Sequence, residues 1–270
     1  MIGNLIKKIR TTYGMVLAYK NWPSVMAYRL NIRPRPMVVK CRDGSRFKVR
    51  DRRRWGSDAY VINESYLYGI HDLVLPYLAK AKACIDVGAY IGSFSIYVAK
   101  RSPARIFSLE PVPGTLEMLK ENIKLNGLED RIFPMQAVLS GRATNGGTVA
   151  LYVPTDSAFS SLSKSHMGLY GVNEEPGVLR VQSTTLSELF AKYDIDFCDV
   201  IKMDCEGAEY DILYNTPPDI FKRIGVMTIE CHKDGDMGEL IRFLEKLNFE
   251  VTRPSMEFAE IFCRNKTPGR

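Results

Sequence analysis

The feature that most constrains this chain is an apolar run that ends at an acid and passes directly into a glycine turn. The run ends at Asp86, and Gly88 and Gly92 follow it. A second apolar run, residues 106–109, ends at Glu110. This order predicts a strand, a tight turn, a helix and a second strand with an acidic tip, which is the layout of a nucleoside pocket in a parallel α/β sheet.

The spacing of the two glycines discriminates between nucleoside cofactors. Three residues separate Gly88 from Gly92, whereas a dinucleotide fingerprint has the pattern G-x-G-x-x-G. An acid just before the turn suits the ammonium and sulfonium of S-adenosylmethionine better than a pyrophosphate, and Glu110 is placed to accept two ribose hydroxyls. Gln136 and Ala137, near the tip of a third strand, are predicted to meet the adenine edge. The predicted cofactor site comprises Asp86, Gly88, Ala89, Tyr90, Gly92, Glu110, Pro111, Gln136, Ala137 and Asp204.

Bulk properties are those of an ordinary globular protein, with 46% hydrophobic and 25% charged residues in a chain of 270. The net charge is +6, and the six cysteines have neither metal-knuckle nor redox spacing. No apolar run is long enough to span a bilayer. We therefore expect a cytoplasmic protein in a reducing compartment.

The first part of the chain, residues 1–75, is predicted to be a basic extension of a main domain at 76–265. It combines an amphipathic helix with a β-hairpin of residues 37–40 and 47–49. The helix either packs on the main domain or lies peripherally on a membrane surface. Its predicted apolar face consists of Ile2, Leu5, Ile6, Ile9, Tyr13, Val16 and Leu17.

The main domain alternates strands with helices, which predicts a mostly parallel sheet covered by helices on both faces. The stretch from Ser140 to Thr185 interrupts this alternation and is predicted to be a substrate lid, with His166 at its surface. Predicted strands are 83–87, 105–109, 132–138, 199–203, 226–230, 249–252 and 259–263, and predicted helices include 93–101, 114–125, 186–193, 207–214 and 237–247.

Over residues 66–262 the sequence resembles the FkbM family within the class I S-adenosylmethionine-dependent methyltransferases. The resemblance rests on residues 85–92, 109–111 and 119–126, and most specifically on 201–209 (IKMDCEGAE) followed by 228–232 (TIECH). It implies a Rossmann-like seven-stranded sheet of order 3-2-1-4-5-7-6 with the last strand antiparallel. It also implies methyl transfer to oxygen, typically on a hydroxyl of a sugar or another small metabolite.

Polar residues at the fourth and fifth strand ends are the predicted catalytic groups. Lys202 and Asp204 alternate along one strand, and Glu230 and His232 along the next. His232 is the candidate general base, because its ordinary pKa lies near neutrality. Asp204 is expected to hold the cofactor or the acceptor hydroxyl, and Lys202 to pair with Asp204 or stabilise an alkoxide. A less favoured alternative is a Mg²⁺ or Mn²⁺ site formed by Asp204, Glu230 and His232.

Two other functions remain open at this point. The first is RNA methylation, with the basic extension gripping phosphate; against it, the Asn/Asp-Pro-Pro-aromatic block that suits transfer to an exocyclic amine does not follow the fourth strand. The second is a non-catalytic nucleoside-binding or membrane-associated protein.

Overall fold

The computed structural model describes residues 11–33, 35–53, 57–142, 146–169, 175–254 and 259–269. Its N-terminal part consists of short elements that lead into the main sheet. In chain order these are helix α1 (residues 11–18), α2 (Trp22–Arg29), strands β1 (Met37–Lys40) and β2 (Arg46–Val49), α3 (Ser57–Asn63), a π-helical turn (Glu64–Tyr68), a 3-10 turn (Ile70–Val74) and α4 (Leu75–Leu78).

The predicted hairpin is confirmed, because β1 and β2 pair antiparallel with Val39 opposite Phe47. The predicted apolar face of the first helix is wrong where it can be compared. Residues 2–9 lie outside the described residues, and Tyr13 and Leu17 are exposed by 64% and 57%. The buried positions are Met15 and Tyr19, one turn apart, which pack into the same core as α3.

The rest of the chain forms the sheet and its flanking helices. In chain order these elements are β3 (Ala83–Val87), α5 (Ser93–Ala99), β4 (Arg105–Leu109), α6 (Pro113–Leu125), β5 (Ile132–Met135), β6 (Ala137–Leu139), β7 (Thr148–Val153), α7 (Lys164–Leu169), β8 (Gly177–Thr184), α8 (Leu186–Lys192), β9 (Cys198–Met203), α9 (Glu209–Asn215), α10 (Pro218–Lys222), β10 (Ile224–Glu230), α11 (Met237–Lys246), β11 (Phe249–Thr252) and β12 (Glu260–Asn265).

Seven of these strands form one sheet in the order β11-β12-β10-β9-β3-β4-β5. Counted along the chain, this is the expected order 3-2-1-4-5-7-6. Strands β3, β4, β5, β9 and β10 are parallel, and β12 runs antiparallel to β10. The Rossmann-like fold and the antiparallel last strand are therefore confirmed.

Both faces of the sheet are covered, and alternate residues of each central strand enter different cores. In β3, Cys84 belongs to the core shared with α5, α6 and the N-terminal elements, whereas Ile85 belongs to the core shared with α8, α9 and α11. Because side chains alternate across a strand, a strand buried on both faces is apolar at successive positions. This explains why the apolar runs gave the bounds of β3 and β4.

The predicted third strand, 132–138, is wrong in its second half. Pro134 lies in β5, which is the edge of the main sheet, where a residue without an N–H is tolerated. After Gln136 the chain leaves that sheet and enters a separate three-stranded sheet. In this second sheet β8 is the central strand, with β6 on one side and β7 on the other. The predicted lid thus contains two strands of a second small sheet, β7 and β8, together with α7. None of the helices in the described ranges has the length and apolarity needed to cross a bilayer.

Two asparagines of α6 bind the backbone of β2 in the same way but at different depth. Buried Asn122 accepts from the Lys48 N–H at 2.7 Å and donates to the Ile91 carbonyl at 3.0 Å. Half-buried Asn126 accepts from the Arg46 N–H at 2.9 Å. The buried side chain of Asn122 therefore joins the N-terminal hairpin to the glycine turn.

We expect Asn122→Ala to lower the free energy of unfolding by about 1–3 kcal/mol, since it leaves buried polar groups unpaired. Asn126→Ala is the matched control and should cost under about 1 kcal/mol, because water replaces its partner. Urea unfolding of both variants measures the difference, and equal losses would contradict the role of buried Asn122.

Candidate active site

A cavity of about 470 Å³ lies at the carboxyl ends of the central strands, which is where an open parallel sheet binds its ligands. Its walls come from the main sheet, from the N-terminal helix α3 and from the segment between β7 and α7. Of the residues predicted from sequence, those that line it are Gly88, Tyr90, Glu110, Pro111, Ala137, Asp204, Glu230 and His232.

The turn after β3 has the left-handed backbone that its glycines predict. Gly88 has a φ of +74°, and a Cβ at this position would lie 1.8 Å from the Asp204 carbonyl oxygen. The turn is therefore packed directly against the end of β9. Tyr90 also has a positive φ, of 50°, and its hydroxyl accepts a hydrogen bond from Arg50 at 2.8 Å.

Glu110 lies at the tip of β4 and is almost fully buried. Its two carboxylate oxygens accept hydrogen bonds from the Tyr90 N–H at 3.0 Å and the Val112 N–H at 2.9 Å. Burial nevertheless raises the pKa of Glu110 to about 7, because these bonds only partly offset the loss of water. The carboxylate is thus fixed at the cavity wall, where an adenosyl ribose would meet it.

Lys202 connects two acids beneath the cavity. Its ammonium lies 3.0 Å from Asp204 Oδ2 and 3.9 Å from Asp86 Oδ1, and it donates to the Gly88 carbonyl at 3.0 Å. Burial opposes the charge of Lys202, but the two carboxylates raise its pKa above the ordinary value. The predicted Lys202–Asp204 pair is present, and buried Asp86, which also accepts from the Ser95 hydroxyl at 2.5 Å, holds this lysine from below.

His232 lies in a ring of acids. Its Nδ1 is 2.8 Å from Glu209 Oε1, and its Nε2 is 3.5 Å from Glu206, 3.8 Å from Glu230 and 4.0 Å from Asp204. Burial disfavours the charged ring, but the hydrogen bond to Glu209 and the nearby carboxylates outweigh it and raise the pKa of His232 to about 10. The imidazole of His232 therefore holds a proton at neutral pH until another positive charge displaces that proton.

Two further acids of the cavity keep their protons near neutral pH. Asp204, followed by burial, raises the pKa of half-exposed Glu230 to about 9. Burial, followed by Asp204, raises the pKa of Glu64 to about 8. Glu64 begins the π-helical turn after α3, so the N-terminal part contributes a titratable wall to the cavity.

His166 is not at the surface, contrary to the sequence prediction. It is fully buried in α7, with Nε2 2.8 Å from Glu206 Oε2 and Nδ1 2.5 Å from Asp234 Oδ2. Its ring centre lies 5.3 Å from that of His232. The segment between β6 and β8 is therefore joined to the loops that follow β9 and β10.

Several predicted residues lie outside the cavity wall. Asp86, Ala89 and Gly92 shape the turn from beneath, and Lys202 borders a small adjacent pocket with Asp204 and Glu230. Exposed Gln136 borders a separate groove beside β8, so of the two residues predicted to meet the adenine edge only Ala137 lines the cavity. The set Asp204, Glu230 and His232 is close enough to ligate one ion, as is the set His166, Glu206 and His232.

The sequence did not identify the cavity residues that come from outside the sheet. Ser57, Tyr60 and Glu64 reach it from the N-terminal part, and Phe159 reaches it from the turn before α7. Acidic and aromatic residues in that extension were the available signal, but nothing in their spacing tied them to the strand ends.

The chain is similar in sequence to a family of methyltransferases and to several of its relatives. A family model described as methyltransferase FkbM domain matches residues 86–251. Methyltransferase sdnD of Sordaria araneosa is 26% identical, over 65% of this chain and 76% of that protein. The tRNA (guanine(37)-N(1))-methyltransferase Trm5b of Methanocaldococcus jannaschii is 29% identical, over 62% of this chain and 46% of that protein. A structure of M. capricolum TrmK with S-adenosyl-homocysteine has a TM-score of 0.42 at 11% identity, over 74% of this chain and 69% of that one.

We expect Gly88→Ala to destabilise the protein far more than Gly127→Ala. Both glycines have positive φ, which costs an alanine about 1–2 kcal/mol. A Cβ on Gly127 meets open space, whereas one on Gly88 meets the Asp204 carbonyl and adds about 1–3 kcal/mol of overpacking. Thermal and urea unfolding measure both losses; similar losses would show that the turn is not packed against β9.

Proposed function

Because the chain belongs to the FkbM family of methyltransferases, we propose that it transfers the methyl group of S-adenosylmethionine to a hydroxyl of a small, phosphate-free acceptor such as a sugar. The observation that carries this proposal is the ring of acids around His232 at the ends of β9 and β10. That ring favours a positive charge, which the sulfonium supplies, and disfavours an anionic acceptor.

We place the cofactor with its ribose hydroxyls at Glu110, at the tip of β4, and its adenine against the aliphatic residues Ala137, Val138 and Leu139, all of which line the cavity. Its methionine end would then extend toward Gly88 and the ends of β9 and β10. In that orientation the methyl group would lie near Asp204 and Glu230.

Transfer itself is an in-line displacement. The acceptor oxygen attacks the methyl carbon, the carbon–sulfur bond breaks, and its electron pair stays on sulfur to give S-adenosylhomocysteine. Arrival of the sulfonium would repel the charged imidazole of His232 and favour the ionised form of Glu230, and so lower both raised pKa values. The one of these two groups that has released its proton would then take the hydroxyl proton. Alignment of the two reactants contributes most of the rate, about 7–11 kcal/mol.

The similarity to Trm5b favours tRNA as a second candidate acceptor. The basic residues of the extension would then bind phosphate, and binding would weaken steeply with salt. The acids around the cavity would repel the phosphates of this acceptor close to the reacting methyl group. Transfer of a tritiated methyl group to sugars, glycans and tRNA, assayed side by side, separates the two; label in tRNA alone would overturn the first proposal.

We expect His232→Ala to lower kcat by about 10²–10⁴-fold, the usual contribution of a proton-transfer group. Its dissociation constant for S-adenosylhomocysteine should stay within about threefold of the original. Glu245→Gln, an exposed change on α11, is the control for both measurements. Unchanged turnover in His232→Ala would remove the imidazole from the reaction.

A further inference from the structure

Three side chains from separate elements bring their donor atoms together beside the cavity, of which Glu206 and His232 line the wall. His166 Nε2 lies 2.8 Å and His232 Nε2 lies 3.5 Å from the same oxygen, Glu206 Oε2. All three donor atoms lie within 4.8 Å of one another. Ligands bound to one ion at about 2.1 Å lie roughly 3–4 Å apart, so only small rotations would complete such a site.

The two histidines are each oriented by a carboxylate on the opposite nitrogen. Asp234 lies 2.5 Å from His166 Nδ1, and Glu209 lies 2.8 Å from His232 Nδ1. Glu209 is itself fixed, because it accepts from the Cys205 N–H at 2.9 Å. A carboxylate that accepts a hydrogen bond from the Nδ1–H group of a neutral imidazole keeps the proton on Nδ1 and the lone pair on Nε2, which is the arrangement that accompanies histidine ligands of metals.

Two further carboxyl groups lie beside the candidate ligands. Asp204 and Glu230 lie 4.0 Å and 3.8 Å from His232 Nε2, next to Glu206. Lys202 is committed to Asp204 and Asp86. A divalent cation would bring the cluster close to neutrality without protonating the histidines.

We propose that His166, Glu206 and His232 bind a divalent transition-metal ion that also holds the acceptor oxygen. Imidazole and carboxylate donors favour Mn²⁺, Co²⁺ or Zn²⁺ over Mg²⁺, which prefers oxygen ligands alone. This set is favoured over Asp204, Glu230 and His232, because Asp204 is paired with Lys202 and Glu230 is half exposed.

The role of the ion rests on the proposed methyl transfer. The acceptor hydroxyl binds at an open position of the ion, which acidifies it. Its proton passes to solvent on the side of the cavity where half-exposed Glu230 lies, and the oxygen attacks the methyl carbon as the carbon–sulfur bond breaks. With the ion bound, His232 acts as a ligand and takes no proton.

The test is a Co²⁺ titration of the full-length, chelator-treated protein, followed by visible absorption, with pulsed EPR of the Mn²⁺ form. We expect saturable binding of one Co²⁺ and couplings from two histidine nitrogens. His166→Ala and the isosteric Glu206→Gln should each weaken Co²⁺ by at least about tenfold. Glu175→Gln removes an exposed carboxylate between α7 and β8 and should bind Co²⁺ unchanged.

No Co²⁺ binding by the unmodified protein, or full-strength binding by Glu206→Gln, would overturn the metal site. Calorimetry of S-adenosylhomocysteine with the chelated protein is run in parallel. Loss of cofactor binding would contradict the proposed function. The metal site would still be decided by the Co²⁺ titration and the EPR couplings. Retained cofactor binding without Co²⁺ binding would overturn the metal site alone.

Discussion

The structure depends on carboxylates that neighbouring strands hold at one edge of the sheet with too few cations to balance them. Asp86, Glu110, Asp204 and Glu230 come from β3, β4, the loop after β9 and the end of β10. The buried ammonium of Lys202 compensates the charge of two of them, Asp86 and Asp204. Burial raises the pKa of Glu110, and Asp204, followed by burial, raises the pKa of Glu230. A positively charged ligand would therefore be favoured beside these groups.

The ends of the first two strands were predictable because their signals are local. An apolar run buried on both faces ends where an acid and a glycine follow, and the bounds of β3 and β4 match the prediction residue for residue. The third strand failed because Pro134 allows an edge position but does not specify where the chain leaves the sheet. The switch to β8 depends on pairing with residues about 45 positions later, which no local pattern reveals.

The residues of the candidate site also fall into those that local sequence signals could predict and those that they could not. Lys202, Asp204, Glu230 and His232 follow strands whose order was inferred, so their convergence could be expected. His166 was misplaced because its contacts with Asp234 and Glu206 span 68 and 40 residues. A histidine in a polar segment carries no local sign of burial, and only the packing of α7 against the β9 and β10 loops creates it.

The central claim is that this cluster holds protons that a positive cofactor must displace, and proton counting tests it most directly. Calorimetric titrations with S-adenosylmethionine and S-adenosylhomocysteine at pH 8, in buffers of different ionisation enthalpy, give the protons released on binding. The chelator-treated protein is used, in which Glu230 and His232, with pKa values of about 9 and about 10, are protonated at that pH before binding. The sulfonium should release clearly more protons than the neutral thioether. Equal release, or none with either ligand, would contradict the claim.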